Sequence, residues 1–123
     1  MGWTLVGKRN NFKLELNVSG IEALKIVFSQ LEKTDPKIKF GRFPKTPRKS
    51  RMLALDIALL YYREGIVLEK PLEDSMGYFE QDTGPGIILP YYEEPFEDVF
   101  IPYEFLVDIV VFFDCCGGVD KIL

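Results

Sequence analysis

The sequence contains no histidine. That removes Ser-His-Asp and Cys-His nucleophilic catalysis, histidine-ligated zinc and iron, and the side chain that most often shuttles protons near neutral pH. Cysteine is nearly absent: two occur, adjacent at Cys115 and Cys116. A structural zinc site takes about four Cys or His ligands, more than the chain carries, so no metal is expected. Neighbouring cysteines rarely bridge each other, because the peptide between them must distort to reach disulfide geometry. Two reduced thiols near the end of a buried element are expected instead. The Thr83–Gly86 stretch TGPG lacks the P-loop spacing and the Gly-Lys-Ser/Thr that follows it, so it reads as a turn, and no cofactor is expected.

Long apolar runs are missing too. Ile57–Tyr62, Phe105–Val107 and Ile109–Phe113 are the main ones, the last two split by Asp108. None approaches the roughly 20 residues of a membrane-crossing helix. The start, MGWTLVGKRNNFK, lacks the charged head and long apolar block of a secretory signal. Val6 stands where a myristoylation motif requires Ser or Thr. These features predict a soluble, cytoplasmic protein with no membrane contact.

What is present suits a single compact domain. A chain of 123 residues with 47% apolar content buries enough surface for one core without staples. Trp3–Gly7 reads as a strand, Lys8–Asn11 as a turn, and Phe12–Val18 alternates as a half-buried strand, so a hairpin is expected. Ser19 and Glu22 form a capping-box pattern opening a helix over Gly20–Lys33, which Pro36 stops. Ile38–Phe43 reads as a strand or extended segment. Ser50 is the expected cap of a second helix, Arg51–Arg63, closed by Gly65. Its many apolar positions, Met52, Leu53, Leu55, Ile57, Leu59 and Leu60, predict a core helix. Short strands follow at Ile66–Glu69 and Ile87–Leu89, with a long irregular segment between Leu72 and Gly86. Pro102 and Glu104 favour a third helix over Pro102–Phe113, before Gly117 and Gly118, although its many Val, Ile and Phe residues also permit a buried strand. The expected fold is α+β, an antiparallel or mixed sheet packed on two or three helices.

Charge is segregated along the chain. Between Pro36 and Asp56 lie Lys37, Lys39, Arg42, Lys45, Arg48, Lys49 and Arg51 with no acid among them. From Glu69 to Asp108 there are eleven carboxylates and one base, Lys70. Such asymmetry steers charged partners.

The acidic half contains the richest stretch, YYEEPFEDVFIPYEF at Tyr91–Phe105, with six aromatic residues and five carboxylates. Its paired carboxylates have the chemistry of glycosidase acids and bases, but the chain is small for a sugar cleft, and the pattern of a calcium loop is missing. An interface makes better physical sense. Tyrosines give rigid contact area, carboxylates attract a basic partner, and prolines reduce the freedom lost on docking. The candidate partner-binding residues are therefore Tyr91, Tyr92, Glu93, Glu94, Phe96, Glu97 and Asp98. The expected function is a small acidic, non-catalytic binding protein: a stoichiometric inhibitor or adaptor of a basic protein, such as an immunity protein that neutralises a nuclease toxin.

Two alternatives stand beside it. One is a nucleic-acid-binding accessory protein that uses Lys39, Arg42, Lys45, Arg48, Lys49 and Arg51, with Phe40 and Phe43 stacking on unpaired bases and Ser50 and Arg51 holding a phosphate. The acidic net charge of -4 runs against that footprint. The other is a structural subunit of an oligomer.

Overall fold

The computed structural model describes residues 2–9, 11–66, 75–76, 84–91 and 97–123, with backbone alone at 75, 76, 90, 91, 97 and 98. Its first strands are the expected hairpin: β1 (Trp3–Gly7) pairs antiparallel with β2 (Lys13–Leu16). Asn11 takes the left-handed conformation in the turn, at φ 53°, which its short polar side chain tolerates. Leu14 and Leu16 face inward while Lys13 and Glu15 face water, as period-two alternation requires.

The strand stops short of Val18 because Asn17 begins a helix. The Asn17 side-chain oxygen accepts the Gly20 N–H at 2.7 Å, capping α1 (Val18–Glu32). Ser19, the expected cap, lies inside the first turn instead, and Val18 is exposed on the helix rather than inward on a strand. Helix α1 buries Ala23, Leu24, Ile26, Val27, Phe28 and Leu31. It touches both β2 and a later strand, β4 (Gly86–Tyr91), so it is covered on most of its circumference.

The segment expected to be extended at Ile38–Phe43 forms no strand. Its backbone closes turns, with Ile38 N–H donating to the Asp35 carbonyl at 3.0 Å and Arg42 N–H to the Lys39 carbonyl at 3.0 Å. Its aromatic side chains fix it. Phe40 stacks on Trp3 at 5.5 Å and meets Phe28 and Phe43 edge-on. Phe43 also stacks on Phe113 at 6.3 Å. Such offset and edge contacts add to the burial of the rings themselves.

Helix α2 (Pro47–Glu64) starts four residues before the sequence suggests. Thr46 is its cap, accepting the Lys49 N–H at 3.3 Å, and Pro47 fills the first helical position, where its missing N–H costs nothing. Gly65 ends the helix at φ 78°, a conformation natural to glycine. Contrary to the expected core helix, only one face of α2 is inward. Ser50, Leu53, Ala54, Ile57 and Leu60 are buried, while Met52, Leu55, Leu59 and Tyr62 are exposed.

The second sheet is the antiparallel pair β4 and β5 (Glu97–Pro102), with the two-residue β3 (Ser75–Met76) parallel to β5 on its other side. Strand β4 runs through Pro90 rather than ending there. Among the described strands it is at the edge of its sheet, where a proline removes no ladder donor that the sheet needs. Of the strand expected at Ile66–Glu69, Ile66 is irregular and exposed, and the remainder lies outside the described residues, as does most of the irregular segment after Leu72.

Pro102 directly precedes α3 (Tyr103–Cys115). This segment is helical, as its proline and Glu104 suggest. Gly117 and Gly118, at φ 73° and 104°, then turn the chain into β6 (Val119–Ile122), an unforeseen strand antiparallel to β1. At Gly118 a Cβ would lie 2.5 Å from the Lys45 carbonyl oxygen, so space as well as conformation requires glycine.

The fold is α+β: three helices and two small sheets among the described residues. Helices α2 and α3 pack antiparallel, since Ser50 near the start of α2 meets Phe113 near the end of α3, and Tyr61 meets Tyr103. Helix α3 also touches β2, β4 and β5, so both sheets and all three helices share one core. No helix among the described residues is long and apolar enough to cross a membrane.

Candidate functional site

The stretch Tyr91–Phe105 divides into two parts with different roles. Its C-terminal part is structural. Val99, Phe100 and Ile101 are fully or almost fully buried, and Tyr103 packs on Tyr61 at 5.3 Å between ring centres. Its N-terminal part sits at the end of the hairpin. The register runs Leu89 against Val99, Pro90 against Asp98 and Tyr91 against Glu97. The stem is anchored by Ile87, Leu89, Val99 and Ile101, all with no exposed surface. Tyr91, Glu97 and Asp98 therefore stand at the distal end of a hairpin whose base is locked in the core. Tyr92, Glu93, Glu94 and Phe96, which complete the candidate set, lie outside the described residues.

The basic candidates gather around the start of α2. Arg42, Lys45, Arg48, Lys49 and Arg51 are all exposed. Lys39 forms an exposed ion pair with Glu32 at 3.4 Å. No acidic residue sits in the first turn of α2, so nothing local offsets the positive end of its dipole. The fold adds two cations that the sequence separates from this group. Lys8 Nζ donates to the Lys45 carbonyl at 2.6 Å. Arg9 is held by its backbone, its N–H donating to the Cys116 carbonyl at 2.9 Å, and its side chain lies across Gly117. The segment KRNN carries turn chemistry and basic charge together, and only the pairing of β1 with β6 brings that charge to Lys45.

Two parts of the nucleic-acid expectation do not survive. Phe43 is 6% exposed and Phe40 is half-buried against Trp3, Phe28 and Phe43, so both rings are engaged by the core rather than free in the loop. Ser50 has no exposed surface. Its hydroxyl donates to the Phe113 carbonyl and lies 3.3 Å from Cys116 Sγ, so it is directed into the helix pair and not toward a bound phosphate. What remains is a surface of cations without stacking platforms.

Elsewhere, an open cleft of about 670 Å³ is lined by Trp3, Thr4, Glu15, Leu16, Asn17 and Phe105, among others. Among the described residues it holds one carboxylate, Glu15, and its Asn17 side chain is already used as a helix cap. Cys115 is exposed and Cys116 buried, both as free thiols. No cluster of three or more potential metal ligands occurs among the described residues. The chain matches no protein-family model, no curated protein and no solved structure.

Proposed function

We propose that this chain is a non-catalytic binding protein, an inhibitor or adaptor that docks a basic protein through the acidic and aromatic segment at the end of the β4–β5 hairpin. One observation carries the reading: Tyr91 pairs with Glu97 at the far end of a stem buried at Ile87, Leu89, Val99 and Ile101. A rigid stem with a functional loop is a common division of labour, because the scaffold bears the cost of ordering the loop's ends. In this reading Glu93, Glu94, Glu97 and Asp98 attract and orient the partner. Tyr91, Tyr92 and Phe96 supply contact area that loses little freedom on binding. A toxin-neutralising immunity protein is the concrete form, since nuclease surfaces that hold phosphates are basic.

The test is affinity capture of the tagged chain from its host's lysate, washed at low and high salt, with bound protein identified by mass spectrometry. Reversing Glu93, Glu94, Glu97 and Asp98 to Lys should release a basic protein held one-to-one, while circular dichroism shows the fold intact. Capture of the same protein by the reversed variant would refute the reading.

A second reading rests on the recruitment of Lys8 and Arg9 to the Lys45–Arg51 surface. Without free aromatics it reduces to phosphate neutralisation, which does not discriminate sequence. It predicts salt-sensitive binding to any duplex. Replacing Arg42, Lys45, Arg48 and Lys49 by Ala should reduce the log–log salt slope by about 0.9 per lost phosphate contact. No binding to duplex DNA or RNA at low salt would remove it.

A further inference from the structure

Helix α2 has two apolar faces, and the fold uses one. Its inward face is Ser50, Leu53, Ala54, Ile57 and Leu60. On the opposite side, at about 100° per residue, lie Met52, Leu55, Leu59 and Tyr62, which are 55%, 60%, 50% and 86% exposed. One exposed leucine on a helix calls for no explanation. Four large apolar residues spaced by three, four and three positions do, because that spacing is the a and d seam by which one helix receives another. The seam spans about 15 Å at 1.5 Å per residue.

The charges beside this seam show what it receives. Arg51 precedes Met52 and Asp56 follows Leu55, which makes them the g and e positions on the two flanks. In a parallel pair of identical helices, each g residue faces the e residue five positions further along the other chain. Arg51 of each copy then meets Asp56 of the other. The next such pair, Ala58 with Arg63, is neutral against positive, and Arg48, exposed at the d position one turn before Met52, faces its own copy at the open end of the seam, where a long side chain turns its charge to water. An antiparallel pair that sets Met52 against Tyr62 and Leu55 against Leu59 turns the same flanks on themselves. Asp56 then faces Asp56, and Lys49 faces Arg63. Flanking charges of this kind choose partner and orientation, and a two-fold interface requires a patch that complements itself. Neither Arg51 nor Asp56 has an ion-pair partner among the described residues. Burial, and then the like charge of Asp35, disfavour the ionised form of Asp56.

We propose that two copies of this chain associate in parallel through the Met52, Leu55, Leu59 and Tyr62 seam, with reciprocal Arg51–Asp56 pairs. Four seam residues and their flanks fall short of the roughly 20–30 residues a side of a standard interface, so dissociation is expected in the micromolar range, on the order of 10 µM. The inference does not rest on the hairpin reading, because α2 and the β4–β5 end carry different residues.

The experiment is sedimentation equilibrium of the full chain from about 1 to about 300 µM, a range chosen to bracket that affinity. The weight-average mass should rise from monomer to dimer with concentration. Leu55→Glu with Leu59→Glu should hold the mass at monomer throughout, with an unchanged melting midpoint at low protein concentration, where the native chain is also a monomer, because both positions are exposed. Arg51→Asp should weaken association at least tenfold, and adding Asp56→Arg to it should restore it. Orientation has its own readout. In a Cys115→Ser background, Leu55→Cys should form an intermolecular disulfide under mild oxidation, since the parallel register sets position 55 against itself. Three results would each overturn the proposal: a monomer at every concentration, a dimer indifferent to Leu55→Glu with Leu59→Glu, or failure of the charge exchange to restore pairing.

Discussion

Replacing Ser50 by alanine separates a structural role from a ligand-binding one. Ser50 has no exposed surface, and its hydroxyl donates to the carbonyl of Phe113. That carbonyl belongs to the last turn of α3, where four carbonyls lack an intrahelical partner. Cys116 N–H already serves Phe112, and the Cys116 thiol lies 3.9 Å from the Phe113 carbonyl, too far for a strong bond. Ser50 is therefore the main partner of a buried acceptor. Its loss leaves that buried acceptor unsatisfied, which costs about 1–3 kcal/mol. Partial compensation by a thiol that swings inward lowers the total, so about 2 kcal/mol is expected. The volume lost is one oxygen, so the cavity contribution is small. In urea denaturation followed by circular dichroism the midpoint should fall with the slope unchanged, and the thermal midpoint should drop by roughly 5–10 °C. The hydroxyl lies 3.3 Å from Cys116 Sγ, so a cycle with Cys116→Ala should show coupling of about 0.5 kcal/mol or more. Any binding of polyanions should be unaffected where the variant is folded. A stability loss below about 0.5 kcal/mol, or normal stability with lost anion binding, would refute the assignment and return Ser50 to a phosphate site.

Other perturbations have equally definite outcomes. The Tyr61 hydroxyl is buried without a partner among the described residues, so Tyr61→Phe should stabilise the fold by about 1 kcal/mol in denaturant titration. Burial, and then the neighbouring Tyr103, push the Tyr61 phenol up to about 12. The unfolded chain ionises first, so its contribution is fully present below about pH 10 and declines as pH rises to about 12. Thermal melts across that window should show the decline in the native chain more than in Tyr61→Phe. Burial and the Asp35 carboxylate raise the pKa of Asp56. Asp56→Asn should therefore stabilise the chain near neutral pH and have little effect below the ordinary carboxylate range, as melts at low protein concentration against pH would reveal. Gly118→Ala adds a Cβ 2.5 Å from a carbonyl oxygen at φ 104°, and should cost on the order of 3 kcal/mol, read as a lowered urea midpoint.

Local chemistry accounts for what was legible in advance. The β1–β2 hairpin follows from alternation around an Asn turn, and the end of α2 follows from Gly65. The helicity of Tyr103–Cys115 follows from Pro102 ahead of a long apolar segment. Helix starts were displaced because two plausible caps compete: Ser19 with Glu22 makes a better pattern than Asn17, and Ser50 a more familiar cap than Thr46 before Pro47. The backbone takes the cap whose side chain reaches the free N–H groups. Strand β6 was invisible because Val119–Ile122 carries two charges in four residues and is a strand only through β1. Phe40 and Phe43 looked available to nucleic acid because composition cannot distinguish an aromatic residue in a basic loop from one that holds that loop to the core.

The sequence by itself determined the α+β class, the separation of charge along the chain, the absence of histidine chemistry and the presence of a continuous apolar supply for one core. These are sums over residues or patterns within one element, and each depends on neighbours a few positions away. Tertiary structure alone decided which apolar face of α2 is buried. It also decided that Lys8 joins Lys45, that Arg9 lies across Gly117, that Ser50 turns inward and that the acidic stretch divides at Asp98. Those outcomes depend on pairings between positions such as Ser50 and Phe113, or Lys8 and Lys45, which are remote in the chain and meet only when the sheets and helices close on one another.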